Sequence, residues 1–460
     1  MDKIIRSLCS WQDTSLFLLL VSIVITFILI TQKQSRKSKK FSCLMEKIAV
    51  LLFLFCTTRV SLSPFYHFSP EFLIIPPQNT CLTSLQPLIY LVLTVATGGR
   101  LISVAAKRGF HDLVISFLGN PFIWLLTVLC LLSAFWTSTP LFSAKAGLVL
   151  IGMNIISVYI ARVFTSEELF SFFRIHILIV AILSLILGNS GGADLSGILI
   201  SKNQLGNLMA LGSVLWIANS IFNPKMRWLS LSTSSLLLLT MLRANSAGAI
   251  SNFAILMTTL LLTRFLKLLP PRQLLLVVNF FIIASFGIYF ILSTNLEKIF
   301  NLLGKDMTLT GRTGLWSEIW ELASNKFWLG YGSYGFWQHW RGLDSPASQI
   351  NLYWSAPNAH QGFLDIFVEL GMVGLVVLLI SILINLSNAI VLFVKTKNKR
   401  ESVLILVLLL YVIISNFGES FFIRPNFVWL SYLILTMKLS LMQVKINRVS
   451  SMNENAVLNL

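Results

Sequence analysis

The chain has 460 residues, 56% of them hydrophobic and 12% charged, with a mean hydropathy of +0.80. A soluble domain carries roughly twice that charged fraction, so a water-soluble fold is excluded. The net charge of +17 does not mark a nucleic-acid binder, because the basic residues sit in short clusters between apolar runs and form no basic domain of their own.

Taken in chain order, the apolar runs predict membrane-spanning helices near 14–31, 46–62, 84–100, 112–136, 142–162, 170–188, 203–222, 228–243, 247–264, 273–293, 361–384, 402–417 and 426–443. A helix needs about 20 apolar residues to cross a bilayer, and without water its backbone must be satisfied internally. The runs are too long and too uniform for barrel strands, which alternate. The fold class expected is therefore an all-α integral membrane protein, a polytopic bundle of about 12–13 transmembrane helices. The first run, Leu16–Ile30, is followed by the basic stretch Lys33–Lys40 in place of a small-residue cleavage site. It is expected to span the membrane and not to be cleaved off.

Basic residues collect in alternate connections: Lys33–Lys40, Arg100 with Lys107 and Arg108, Lys225 with Arg227, Arg264 with Lys267 and Arg272, and Lys395–Arg400. That alternation places these connections in the cytoplasm. Segments 63–83, 137–141, 189–202, 244–246, 294–360 and 418–425 then face outward. Five cysteines, at 9, 43, 56, 81 and 130, show no paired spacing; neither a metal site nor a disulfide framework is expected, and no cofactor is implied.

The connection 294–360 is by far the longest. It holds Trp316, Trp320, Trp328, Trp337, Trp340 and Trp354, half of the chain's tryptophans, which argues for order. Trp316, Ile319, Trp320, Ala323 and Phe327 recur at helical spacing, with Glu318 and Glu321 opposite them. An amphipathic helix over 312–328, lying on the outer interface, is expected. The predicted topology also gathers Lys202, Asn203, Arg243, Asn245, Ser246, Arg312, His360, Glu419 and Arg424 on one face. Ionisable residues beside spans are costly and usually have a function or a partner.

Several segments carry a resemblance. GRTGLWSEIWELASNKFWLGYGSYGFW (311–337) and APNAHQGFLDIFVELGMVG (356–374) resemble the O-antigen ligase and Wzy-type polysaccharide polymerase family, in its exopolysaccharide polymerase branch. GILISKNQLGNLMALG (197–212) resembles that family's Lys-Asn segment, and NFGESFFIRPNFVWL (416–430) its Glu-Ser segment. The likeness covers roughly 190–435. The chain departs from the ligase pattern at Gln361, where ligases carry Asn after the His, and at MLRANSAGA, which has no Arg after Ser246. Both departures favour the polymerase branch.

The resemblance implies a fold of the broad GT-C-like class of lipid-linked glycosyltransferases. It also implies an enzyme of the cytoplasmic membrane whose active site faces the periplasm or exterior. Three parts follow: N-terminal helices 1–189, a ligase/polymerase-like core 190–435 that includes loop 294–360, and the end of the last span with a cytoplasmic tail, 436–460. The expected partners are a glycan donor and acceptor carried on undecaprenyl diphosphate, the lipid bilayer, and other polysaccharide-assembly membrane proteins; nucleic acid is not among them. The implied reaction is metal-independent polymerisation of lipid-linked repeat units. Ligation of a finished glycan to lipid A core or protein is the alternative, and a small-solute or ion transporter is a third reading.

The chemistry assigns roles. Cations aimed at the departing diphosphate stabilise its developing charge, and the Arg fork matches phosphate oxygens. Arg312, Arg243, Arg424 and Lys202 are the diphosphate candidates. His360, with Glu419 orienting it or acting as the base itself, is the catalytic candidate. Asn203, Trp337, Trp340 and Trp354 are the glycan candidates.

Overall fold

A computed structural model describes residues 39–58, 60–62, 66–68, 114–115, 117–191, 194–266, 312–350, 356–396 and 399–458. The expected spans 14–31, 84–100 and 273–293, and Trp354, lie outside the described residues. Helices dominate: α1 (Lys39–Thr57), α2 (Pro121–Leu132), α3 (Pro140–Val163), α4 (Ser166–Leu187), α5 (Lys202–Phe222), α6 (Arg227–Arg243), α7 (Ala247–Leu266), α8 (Arg312–Ser324), α9 (Gly362–Lys395), α10 (Lys399–Gly418) and α11 (Phe427–Leu458). Among the described residues, six helices are long and apolar enough to cross a membrane: α3, α4, α5, α9, α10 and the first part of α11. The protein is an all-α, multi-pass membrane protein.

The chain divides into two compact units. Unit one comprises Met1–Gly119, Lys145–Ile250 and Ile423–Leu441. In it α5 and α6 form a hairpin closed by a short 3-10 turn, Pro224–Met226. Helix α6 was expected to span, but its hydroxyl residues leave it less apolar than the six. Several bond back to their own helix, as Thr233 does to the Leu229 carbonyl at 2.8 Å. Others tie it to α5: Ser234 Oγ donates to the Ser213 carbonyl at 3.1 Å, and Asn219 Nδ2 to Ser230 Oγ at 2.7 Å. The segment before α5, expected to be a plain loop, contains a small antiparallel hairpin of β3 (Asn189–Gly191) and β4 (Asp194–Gly197). A second such hairpin pairs β1 (Val60–Leu62) with β2 (Tyr66–Phe68).

Unit two comprises Asn120–Ala144, Ser251–Phe422 and Met442–Leu460. It is built on α9, which packs against α2 and α10. The large connection is folded onto this unit. Leu315, Ile319, Leu322 and Ala323 of α8 are buried with Phe336, Trp337, Ala347, Ala359, Phe367 and Val368. The helix ends at Ser324, four residues before its expected end. Its buried stripe is rotated from the expected one: Trp320 is 55% exposed, with its ring 5.1 Å from Phe367, and Leu315 and Leu322 take its place in the core.

The second half of the connection enters α9 itself. Helix α9 breaks at Gly371, where φ is 66° and ψ is −167°. The break frees the Val368 and Glu369 carbonyls, which accept the Tyr331 and Gly332 N–H groups at 3.0 and 2.7 Å. The Met372 and Val373 N–H groups in turn donate to the Phe327 and Trp328 carbonyls at 2.8 and 3.2 Å. Backbone groups exposed by a break inside an apolar helix must find partners within the protein; the stretch from Phe327 to Gly332 supplies them.

Candidate functional site

Unit two brings three of the predicted residues together. Arg312 is the first residue of α8 and His360 lies two residues before α9. Glu419 follows directly on α10, so the three stand at one end of this unit. Glu419 is 6% exposed. Its Oε2 lies 3.4 Å from His360 Nδ1, and its Oε1 lies 3.9 Å from Arg312 Nη2. Arg312 Nη1 also donates to the Gly418 carbonyl at 3.1 Å, a cation at the carbonyl end of α10. A buried carboxylate is stable only with such partners. Distances of 3.4 and 3.9 Å leave room for the groups to tighten around a substrate, as catalytic contacts commonly do.

The backbone around His360 is held in an unusual shape. His360 has φ +49°, the left-handed region that costs a side-chain-bearing residue roughly 1–2 kcal/mol. The His360 N–H donates to Asn358 Oδ1 at 2.9 Å, and the Gln361 N–H to Ser420 Oγ at 3.2 Å. The Gln361 side chain caps α9, accepting from the Leu364 N–H. Asn is a better cap than Gln by residue preference. The Gln361 side chain is nonetheless engaged in capping α9.

Unit one holds Lys202, Asn203, Arg243 and Arg424. Lys202 heads α5, and its Nζ lies 2.7 Å from Asp194 Oδ2. Asp194 Oδ1 accepts from Asn245 Nδ2 at 2.9 Å. The Lys202 hydrogen bond, then that of Asn245, holds the Asp194 carboxyl below its ordinary range. Asn203 Oδ1 accepts the Ser246 hydroxyl at 3.0 Å and so ties α5 to the start of α7. Arg243 is exposed at the end of α6. Arg424 is buried, next to Ile423 at φ +48°, a strained conformation for a β-branched residue.

The glycan candidates fare differently. Trp337 is 6% exposed. Its Nε1 donates to Asp365 Oδ1 at 2.7 Å, and its ring lies 4.9 Å from Phe336, edge to face. A ring so enclosed has no face to offer a sugar, and Trp337 is a core residue of the folded connection. Trp340 lies in the 3-10 segment His339–Asp344. Sequence reasoning missed Asp365, Trp316 and Ser420 as parts of the site. Trp316 Nε1 donates to the Ala359 carbonyl at 2.8 Å, and Asp365 Oδ1 accepts the Ala359 N–H at 3.1 Å. An Asp in the first turn of a helix ordinarily answers the helix dipole, so nothing in its position signalled an inward role. Among the described residues, no group of three or more His, Cys, Asp or Glu side chains could hold a metal ion.

Comparison with known proteins bears on this geometry. The model of a family described as O-antigen ligase matches residues 232–379, which contain α8, His360 and the break in α9. Over that stretch the chain is similar to the O-antigen ligase family. A curated relative, the exopolysaccharide production protein ExoQ of Rhizobium meliloti (strain 1021), is 27% identical over 285 residues. That match covers 57% of this chain and 64% of ExoQ, less than two thirds of the relative's length. The ligase-family region ends before Glu419, so the Arg312–Glu419–His360 cluster joins two residues of that region to one outside it.

Proposed function

We propose that this protein is a membrane glycosyltransferase that polymerises repeat units carried on undecaprenyl diphosphate at the outer face of the cytoplasmic membrane. The observation that carries the reading is the cluster of one Arg, one His and one buried Glu at a single end of unit two. The ligase-family match and the exopolysaccharide role in the printed name of ExoQ support it. The outward placement follows from the alternation of basic connections.

In the reaction, an acceptor hydroxyl oxygen bonds to the anomeric carbon of the donor glycan. The bond from that carbon to the diphosphate oxygen breaks, and its electron pair leaves on the diphosphate. Arg312 neutralises the charge gathering there. His360 takes the hydroxyl proton on Nε2, while Glu419, facing Nδ1, orients the ring and stabilises the imidazolium. Lys202, Arg243 and Arg424 remain candidates for the diphosphate, Asn203, Trp340 and Trp354 for the glycan. The Lys202–Asp194 contact gives Lys202 a second, structural duty. A ligase would use the same donor half and differ only in the acceptor.

The test is His360→Ala, assayed with lipid-linked repeat units in proteoliposomes and read as the ladder of product lengths. A general base contributes about 10²–10⁴-fold, so polymer should fall by that factor with normal membrane insertion. Wild-type turnover in His360→Ala would overturn the reading.

A further inference from the structure

The proposed reaction needs the His360 imidazole at a fixed point, yet His360 sits at the end of a connection and not inside a helix. What fixes it is a set of side chains that grip the backbone on both sides of it. Trp316 holds the Ala359 carbonyl, Asn358 the His360 N–H, and Ser420 the Gln361 N–H. The fourth grip is Asp365, whose Oδ1 accepts the Ala359 N–H at 3.1 Å.

Asp365 differs from the other three. Like Trp316 and unlike Asn358 and Ser420 it lies within a helix, but it alone stands on α9, the helix that His360 leads into. The same oxygen also accepts the Trp337 indole N–H at 2.7 Å. Asp365 is only 4% exposed, although a carboxylate that merely answered the α9 dipole could do so from the surface without the cost of burial. The left-handed turn at His360 persists only where its surroundings over-determine it, and the Ala359 amide is the last backbone donor before that turn.

We infer that Asp365 is a positioning residue for His360, holding the Ala359 amide so that the left-handed turn presents the imidazole toward Glu419. The inference rests on the reading of His360 as the proton acceptor. Asp365 acts through the backbone and touches no substrate. A misplacement of about 1 Å can cost on the order of 10²-fold in rate, and it affects turnover more than donor binding.

Asp365→Leu removes the acceptor and Asp365→Asn keeps one; both are compared with His360→Ala at equal inserted protein. Asp365→Leu should lower kcat about 10–100-fold with the donor KM within about twofold, and Asp365→Asn should stay within about threefold of wild type. Carbethoxylation of His360 by diethyl pyrocarbonate, located by mass spectrometry, should quicken in Asp365→Leu and not in Asp365→Asn. If Asp365→Leu fails to insert, Asp365→Ser takes its place, because the smaller hydroxyl fits the space but stops short of the Ala359 N–H. Equal kcat in the acceptor-free variant and wild type, with His360→Ala inactive, overturns the positioning role and leaves the proposed function standing. Equally slow Leu and Asn variants also overturn it, since hydrogen-bond geometry would not then be the cause. Full activity in His360→Ala removes both readings.

Discussion

Gly371→Ala should be among the most damaging single-methyl changes in unit two. Its φ of 66° and ψ of −167° fall in a region essentially reserved for glycine, where a side chain costs roughly 1–3 kcal/mol. A Cβ there would lie 2.2 Å from the Trp328 carbonyl oxygen, 2.3 Å from its carbon and 2.5 Å from the Leu329 nitrogen. All three are backbone atoms, so the turn itself must move. Moving it breaks at least two of the four hydrogen bonds between the turn and α9, each worth about 0.5–1.5 kcal/mol net. The expected loss is about 2–6 kcal/mol. Gly248→Ala is the control: it lies in a helix with only Ser246 Oγ, at 4.0 Å, near the added methyl, and should be neutral or stabilising by up to about 1 kcal/mol. Thermal unfolding in detergent micelles, followed by size-exclusion chromatography, should show Gly371→Ala melting on the order of 5–10 °C lower. Limited trypsinolysis should show faster cleavage after Lys326 as the turn undocks. Equal melting of the two variants would refute the argument that the break is held by the turn.

Arg312→Lys keeps the charge and loses the planar fork. At equal inserted protein it should cut polymer formation about tenfold or more, and Arg312→Ala about 10²–10³-fold; wild-type output from the Lys variant would remove the fork from the mechanism. The β3–β4 hairpin should be pH-dependent only in acid. Because the Asp194 carboxyl is held below its ordinary range, its pairing contributes fully above about pH 4 and is lost as pH falls through the lowered value. Backbone hydrogen exchange at residues 194–197, corrected for intrinsic rates, should be flat from about pH 5 to 8 and rise below about pH 4. Asp194→Asn should abolish that rise, and an unchanged rise would show that another group is responsible.

Much of the helical framework was legible because hydropathy and span length are local properties of the chain. The expected span 170–188 is α4 within a few residues, and 402–417 is α10. The expected topology gathers Arg312, His360 and Glu419 on one face, and the structure brings these three side chains into one cluster. What stayed hidden depends on contacts across the chain. The stretch Gly371–Val394 looks like one uninterrupted apolar run, and nothing in its hydropathy marks the break. Trp337 looks like a sugar platform until Asp365, 28 residues away, is seen to accept its indole N–H. The Asp194 partner of Lys202 was hidden too, because it comes from a hairpin that no local pattern announces. Helix α8 was predicted from the aromatics at one spacing, but Leu315 and Leu322 define its buried side, because aromatic rings tolerate an interface that aliphatic side chains do not.

The exchange of backbone hydrogen bonds at Gly371 makes one heritable module out of two stretches of sequence. Residues 327–332 and 368–373 behave as the halves of a fastener: neither has a complete set of backbone partners without the other. Their fit is read from main-chain atoms, so it tolerates side-chain drift but not a change of glycine or of length. Grafting the large connection from a relative, with α9 left behind, would bring a turn shaped for a different break. Chimeras meant to alter what the protein accepts should therefore be cut outside 312–374, with both halves taken from the same parent.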